Sequence, residues 1–274
     1  MSQAPRFSEK NPLFDCLGNS IRTGEDYLKH LRVKFEEGIQ TFKKTTEISR
    51  PRILNVHPSP KLTGYRCLTK FAVRKNSEKD SGYQIGLFAP GTHEITHATS
   101  CPTHTPALNR LLNDIYPLIE EFYIEPYCEK THTGNLRYIV ARITHRTDEI
   151  MLTLVMNEPN QIQVRALVQK LKMEGHNLKS VYINRNSNRD NVILTDDFIK
   201  ISGSDYLRES LHNLLFEIGP KSFFQINPWQ ASDMYRRIAD LAGEMNSSGY
   251  AWDLYSGVGQ IAMFLCQQGY EVLA

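Results

Sequence analysis

The 274-residue sequence has only five cysteines, and no two of them form a C-x-x-C pair. Cys16, Cys67, Cys101, Cys128 and Cys266 are odd in number and widely spaced. That argues against a disulfide framework or a self-contained zinc or iron–sulfur site, and reduced thiols are expected. No run approaches the roughly eighteen uncharged apolar residues of a membrane span. The N-terminus, Met1 to Phe7, lacks the apolar stretch of a secretory signal. A cytoplasmic protein with no membrane partner is therefore the expectation. Internal repeats and low-complexity tracts are missing too, which excludes solenoid and fibrous architectures. The net charge of +2 is too small to diagnose a nucleic-acid partner.

What is present is the composition of a globular protein: 41% hydrophobic and 23% charged residues, enough for one large or two ordinary domains. The charge is unevenly spread. Arg50, Arg52, Lys61, Arg66, Lys70, Arg74, Lys75 and Lys79 face a single acidic residue, Glu78, within one stretch. Such a stretch is either a phosphate-facing surface or a solvated strand face.

Periodicity divides the chain. Tyr27, Leu31, Val33, Phe35 and Ile39 predict an amphipathic helix over 23–45. Leu68 to Arg74 and Tyr83 to Phe88 read as a strand pair, and Pro106 to Tyr123 as a helix. Leu136 to Ile143 and Ile150 to Val155 read as paired strands, Val164 to Glu174 as a helix, and Ser180 to Ile183 and Val192 to Leu194 as strands. After Phe216 the character changes. Asn227 and Pro228 open a helix over 229–242, and a strand, a glycine turn, a helix and the start of another strand close the sequence.

The glycine turn is Asp253-Leu-Tyr-Ser-Gly257-Val-Gly259-Gln-Ile-Ala262. Gly257 and Gly259 permit a sharp turn and close approach of a ligand, and Ala262 packs helix on sheet. Taken alone, G-x-G-x-x-A fits a dinucleotide fingerprint, an S-adenosylmethionine (SAM) loop or a tight connection that binds nothing. Asp253, at the strand end, suits the ammonium or ribose side of a cofactor and would repel a pyrophosphate on the helix N-terminus. A second motif lies upstream, Lys221-Ser-Phe-Phe-Gln225-Ile-Asn227-Pro228. There, Gln225 and Asn227 interrupt an aromatic run just before a helix.

Ser222-Phe-Phe-Gln-Ile-Asn227 followed by Asp253-Leu-Tyr-Ser-Gly-Val-Gly259 resembles the paired signature of the SAM-dependent RNA uracil-5-methyltransferases, the bacterial ribosomal and transfer RNA 5-methyluridine enzymes. Gly64-Tyr-Arg66, Gly86-Leu-Phe88, Ser100-Cys-Pro102, Gly134-Asn-Leu-Arg137 and Asn191-Val-Ile193 follow the order of that family's central domain. The resemblance covers about residues 60 to 274. It implies an α+β central domain followed by the start of an α/β Rossmann-like SAM-dependent methyltransferase domain. The boundaries would be a helical segment over 1–49, a central RNA-binding domain over 50–215 and the first part of a SAM-binding domain over 216–274.

By the same resemblance, Gln225, Tyr255 and Gln260 contact SAM, the backbone of Gly257 and Gly259 lines the site, and Asp253 lies in or beside it. The implied reaction moves a methyl group from SAM to C5 of a uridine. A cysteine thiolate adds to C6, a general base takes the C5 proton, and the target base leaves its stack. In the family these two groups lie in the C-terminal part, whereas here the sequence ends at Ala274, twelve residues after Ala262. No catalytic residue is therefore assigned within the chain, which by itself is expected to transfer no methyl group. Cys266, among Ile261, Phe264 and Leu265, reads as a buried structural thiol.

Cys101-Pro102 resembles the fourth ligand position of the family's cluster-bearing members. With only Cys16 in the N-terminal segment, neither an iron–sulfur cluster nor another metal site is expected. That remnant favours 23S ribosomal RNA over transfer RNA as substrate, and the protein is expected to act as a monomer. Two other readings stand beside this one. The first is a non-catalytic RNA-binding relative of the family, using the basic 50–79 stretch. The second is a nicotinamide-dependent oxidoreductase, which rests on G-x-G-x-x-A alone and which Asp253 and the Phe-Phe-Gln-x-Asn motif oppose. With Leu254, Ile261 and Leu265 lacking partners in an isolated βα unit, the last fifty or so residues are expected to fold poorly.

Overall fold

A computed structural model describes residues 24–47, 53–75, 82–89, 91–92, 94–97, 100–245 and 249–274. Of the eight basic residues of the 50–79 stretch, Arg50, Arg52 and Lys79 lie outside the described residues, as does Cys16. No helix among those described is long and apolar enough to cross a membrane.

The chain begins with helix α1 (Gly24–Thr45) and then builds a seven-stranded mixed sheet from β1 (Leu68–Lys75), β2 (Tyr83–Phe88), β3 (Ile95–His97), β4 (Leu136–Ile143), β5 (Ile150–Met156), β6 (Leu178–Arg185) and β7 (Phe198–Gly203). Their spatial order is β3-β2-β1-β4-β5-β6-β7. All neighbours are antiparallel except β5 and β6, which α3 (Gln161–Met173) joins by a crossover. Parallel neighbours need such a helix, and burial on both faces explains why every residue of β5 is inaccessible. Helix α2 (Pro106–Glu121) and α3 cover one face through Leu108, Leu111, Ile115, Leu167 and Leu171, against Ile139, Leu152 and Leu154. On α2, Pro106 occupies the first turn and Thr105 Oγ1 accepts from Leu108 N; on α3, Asn160 accepts from Ile162 N at 3.1 Å. The Asn160 cap starts α3 three residues before the apolar periodicity does.

A hairpin, β8 (Leu207–Leu211) and β9 (Leu214–Ile218), leads into α4 (Pro228–Met245), β10 (Gly249–Trp252), α5 (Gln260–Gln267) and β11 (Tyr270–Leu273). β10 and β11 are parallel, so this end of the chain is one β-turn-α-β unit. The boundary expected at 215/216 falls inside β9. Leu207 packs with Met151 and Tyr182 on the far face of the large sheet, while Leu211, Phe216 and Ile218 join Phe224, Ala231, Tyr235, Ala239 and Phe264 in a second core. This hairpin supplies the cover that an isolated βα unit lacks. Ile261 packs against that core and Leu265 is buried, contrary to the expectation of a partnerless end; Leu254 is 73% exposed.

Three more expectations need correction. Residues 192–194 form no strand, because the carbonyls of Val192 and Ile193 accept from the buried Asn186 side chain at 2.7 and 3.1 Å, which replaces a ladder. Cys101 is disulfide-bonded, whereas Cys67, Cys128 and Cys266 are free. Cys266 is exposed, because on α5 the core side is taken by Ala262, Phe264 and Leu265, and one further residue turns it about 100° away.

Candidate functional site

The segment between β9 and α4 is held on three sides. Arg142 of β4 donates from Nη2 to the Ser222 carbonyl at 2.7 Å, and Cys67 N donates to the Ile226 carbonyl at 2.9 Å. Asn227 caps α4, its Oδ1 accepting from Gln230 N at 3.0 Å while its Nδ2 donates to Ser59 Oγ at 3.3 Å. The two phenylalanines part company here. Phe224 is buried and meets Phe216 edge-on, whereas Phe223 is 67% exposed.

This clamp contains a compact set of buried polar groups. Glu209 of β8 accepts from both the backbone N and Nδ1 of His145, and Arg142 and Cys67 lie close by. Burial lowers the Arg142 guanidinium to about 10, so it remains charged at neutral pH. The Cys67 thiol is pushed up to about 12 by burial and, secondarily, by Glu209. Cys67 is thus inert as a nucleophile under ordinary conditions.

Gln225 lines the small cavity beside Cys67, Arg142 and Glu209. It is also hydrogen-bonded to Tyr235 of α4, whose hydroxyl faces Asp253. Burial first, and then Asp253, raises the Tyr235 hydroxyl above its ordinary value, and the Gln225 bond opposes them. Tyr235 therefore connects the two sequence motifs. Sequence reasoning placed it on the core face of α4 and missed that connection, because nothing in a helical spacing shows where a hydroxyl points.

At the turn, Asp253 N donates to the Leu273 carbonyl at 2.8 Å, and Asp253 Oδ2 accepts from Ala262 N at 3.0 Å. The carboxylate therefore caps α5, as its place by a helix N-terminus favours. Gly257 and Gly259 have φ of +61° and +73°, and a Cβ on either would meet nothing within 4 Å. Their requirement is conformational, and the space above them is open. Tyr255 shares the left-handed conformation, with φ of +62°, yet is not glycine, and its side chain is fully exposed. Tyr123, at φ of +53° after α2, shares this uncommon conformation, so it is the neighbouring glycines and the open depression that single Tyr255 out.

Trp252, Asp253, Leu254, Tyr255, Ser256, Gly257 and Leu273 line an open depression of about 680 Å³. Asp253, Tyr255 and Gly257 thus share one surface, and Gly259 and Gln260 follow at the start of α5; Gln225 is not among its lining residues and lies instead in the small cavity with Cys67 and Arg142. Gln260 is buried, and its Nε2 has no hydrogen-bond partner. An orphaned buried donor and an open cradle over two glycines fit a polar cofactor seated on the turn. Cys266 is not among the residues lining the depression.

The basic stretch is more neutral than its sequence. Arg74 pairs with Glu129 at 2.5 Å and lies over the Tyr138 ring, and Lys75 pairs with Glu125 at 3.7 Å. Elsewhere, Asp114, Glu174 and His176 come together near α2, but Arg110 lies 3.6 Å from Asp114 and His176 Nε2 2.8 Å from it, so a cation and an imidazole already serve that carboxylate.

The β-turn-α-β unit with its glycine turn has the local form in which nucleotide-type ligands are commonly held. Comparison with known proteins narrows the class. No family model matches the chain. An uncharacterized RNA methyltransferase of Clostridium tetani is 32% identical over 208 residues, covering 76% of this chain and 45% of the relative. Another, from Halalkalibacterium halodurans, is 27% identical over 274 residues, covering 99% of this chain and 58% of the relative. The crystal structure of the Pyrococcus abyssi tRNA (uracil-54, C5)-methyltransferase in complex with S-adenosyl-L-homocysteine matches with a TM-score of 0.68 and 26% identity, over 90% of this chain and 55% of that one. The chain belongs to the RNA uracil-5-methyltransferase family. It spans about half the length of the curated relatives it matches.

Proposed function

We propose that this chain forms the RNA-facing and methyl-donor-holding portion of an RNA uracil-5-methyltransferase that acts as a cytoplasmic monomer. The observation that carries the reading is the glycine turn itself, where Gly257 and Gly259 in left-handed backbone open a depression of about 680 Å³ lined by Asp253 and Tyr255. SAM, when bound, supplies an electrophilic methyl group. The chain's own residues bind and orient. Gly257 and Gly259 admit the ligand to the backbone, Tyr255 offers an exposed ring, and Gln260 offers a buried unpaired donor. Asp253 holds the helix start while bringing negative charge to the cationic side of the donor.

In this proposal the sheet of β1–β7 forms the central RNA-binding unit, and the segment from α4 onward forms the start of the SAM-binding unit. The substrate is a uridine of RNA. The expectation of a ribosomal RNA rests on Cys101-Pro102 as a remnant of the cluster-bearing branch, while the solved neighbour is a tRNA enzyme.

Calorimetric titration of the 274-residue chain with S-adenosyl-L-homocysteine tests the donor site. Saturable binding is expected, weakened about tenfold or more by Gln225→Ala, since removal of a ligand's buried polar partner is worth about 1.4 kcal/mol or more. Absence of saturable heat in the correctly folded chain would sink the reading. A non-catalytic RNA-binding relative is the competing interpretation, and it is the one that such an absence would favour.

A further inference from the structure

A second concavity, of about 430 Å³, lies on the other side of the Phe-Phe-Gln-x-Asn segment, between α1, residues 56–65 and the start of α4. Asn227 lines it, so it adjoins the segment that carries Gln225. Two lysines border it. Lys61 Nζ stands 4.0 Å from the centre of the Trp229 ring, and Lys34 projects from the exposed side of α1. Neither has a carboxylate partner among the described residues, and no described Asp or Glu lines the groove. His57 also lines it, with Nε2 3.6 Å from the Asp233 carboxylate.

Two further features suit a nucleotide chain. Tyr27 and Tyr65 both line it, and Tyr27 is fixed because its hydroxyl accepts from Ser59 N at 2.7 Å. At the floor, Gln230 Oε1 is buried with no donor, an unmet acceptor facing a groove rich in cations. Lysines meet phosphates, fixed aromatic rings take bases, and an orphaned carbonyl oxygen takes a ribose hydroxyl or a base N–H. An acidic peptide would satisfy the lysines but would leave the paired rings unused.

We propose that this groove seats a single-stranded RNA segment, with phosphates on Lys34 and Lys61 and an RNA hydroxyl or N–H donating to Gln230 Oε1, and so delivers the RNA to the loop that holds Gln225. The inference rests on the proposed function for its choice of RNA. It adds where that RNA lies, in a groove that shares no lining residue with the depression at the glycine turn.

Fluorescence anisotropy with a labelled oligouridylate, at a series of salt concentrations, tests it on the full 274-residue chain. The Lys34→Ala/Lys61→Ala variant is expected to bind about tenfold more weakly, and its log–log salt slope to fall by about 1.4, the share of two single-strand phosphates. Lys61→Arg should keep the wild-type slope, and Lys172→Ala, on α3 and not among the residues lining the groove, should change nothing. Lys34 lies on an exposed helix face, so Lys34→Ala alone gives half the slope change if loss of the Lys61–Trp229 contact disturbs folding. The inference is overturned by an unchanged slope in the folded double variant, by an equal loss in Lys172→Ala, or by polyglutamate binding in place of RNA. A chain that binds S-adenosyl-L-homocysteine but no RNA here refutes this groove alone; one that binds RNA here but no S-adenosyl-L-homocysteine refutes the methyl-donor reading alone.

Discussion

Tyr255 is the residue where local preference and placement conflict most openly. Left-handed backbone disfavours a side chain with a Cβ by about 1–2 kcal/mol, and the fully exposed ring recovers nothing by packing. Such strain is retained where the side chain serves a ligand. Asparagine tolerates this conformation, so Tyr255→Asn is expected to leave unfolding stability unchanged or raised by about 0.5 kcal/mol while it weakens S-adenosyl-L-homocysteine binding. Chemical denaturation and calorimetry on one preparation check both halves; a destabilised variant with intact binding would mean that the ring is structural. Gly86 is a useful contrast. A Cβ there would meet the Thr96 carbonyl at 2.0 Å, so its requirement comes from the close approach of β3 and not from function. The sequence alone does not separate these two kinds of special position. It does show the glycine turn, because G-x-G before a helix is a local instruction. It does not show Tyr235 as a connector, since its two partners lie 10 residues before it and 18 after it.

Among the elements, the long ones were readable and the polar ones were not. β4, β5 and α2 carry uninterrupted or regular apolar spacing, and their expected and observed bounds agree within a residue or two. β8 was missed because Leu207-Arg-Glu-Ser-Leu211 puts a carboxylate at an inward position. Glu209 is buried there, and its cost is met by His145 and by nearby Arg142. This exception to alternation is also what secures the Phe-Phe-Gln-x-Asn loop to the sheet. Arg142→Met should therefore remove the bond to the Ser222 carbonyl and leave Glu209 without its neighbouring cation. The expected loss is about 3 kcal/mol in urea-unfolding stability, the usual scale for breaking a buried charged pair. A loss below about 0.5 kcal/mol, the level of an ordinary surface substitution, would show that Arg142 does not hold the loop.

At the scale of the whole molecule, two hydrophobic cores lie on either side of the hairpin, and two of the acidic groups raised by burial, Cys67 and Tyr235, lie near it. Cys67 lies between the sheet and the loop with its pKa at about 12, against 9.0 for an ordinary thiol. Tyr235, in the second core, is also raised. For an acid raised on folding, the unfolded chain gives up its proton first, so stability is lost as pH climbs from the unfolded value toward the folded one. The Cys67 window opens near 9 and closes near 12, and the raised tyrosines join it as pH approaches their ordinary value of 10. Arg142 has the opposite sign, lowered on folding, and begins to titrate only at about 10. Between pH 9 and 10 Cys67 shares the slope with Tyr83, Tyr116, Tyr182 and Tyr235, all raised on folding. Urea midpoints measured at pH 8, 9 and 10 are expected to fall across the last interval in both proteins, and more steeply in the wild type than in Cys67→Ala, whatever the variant's starting stability. Parallel declines in the two proteins would place the alkaline sensitivity elsewhere and would remove Cys67 from the junction that links the sheet to the candidate donor site.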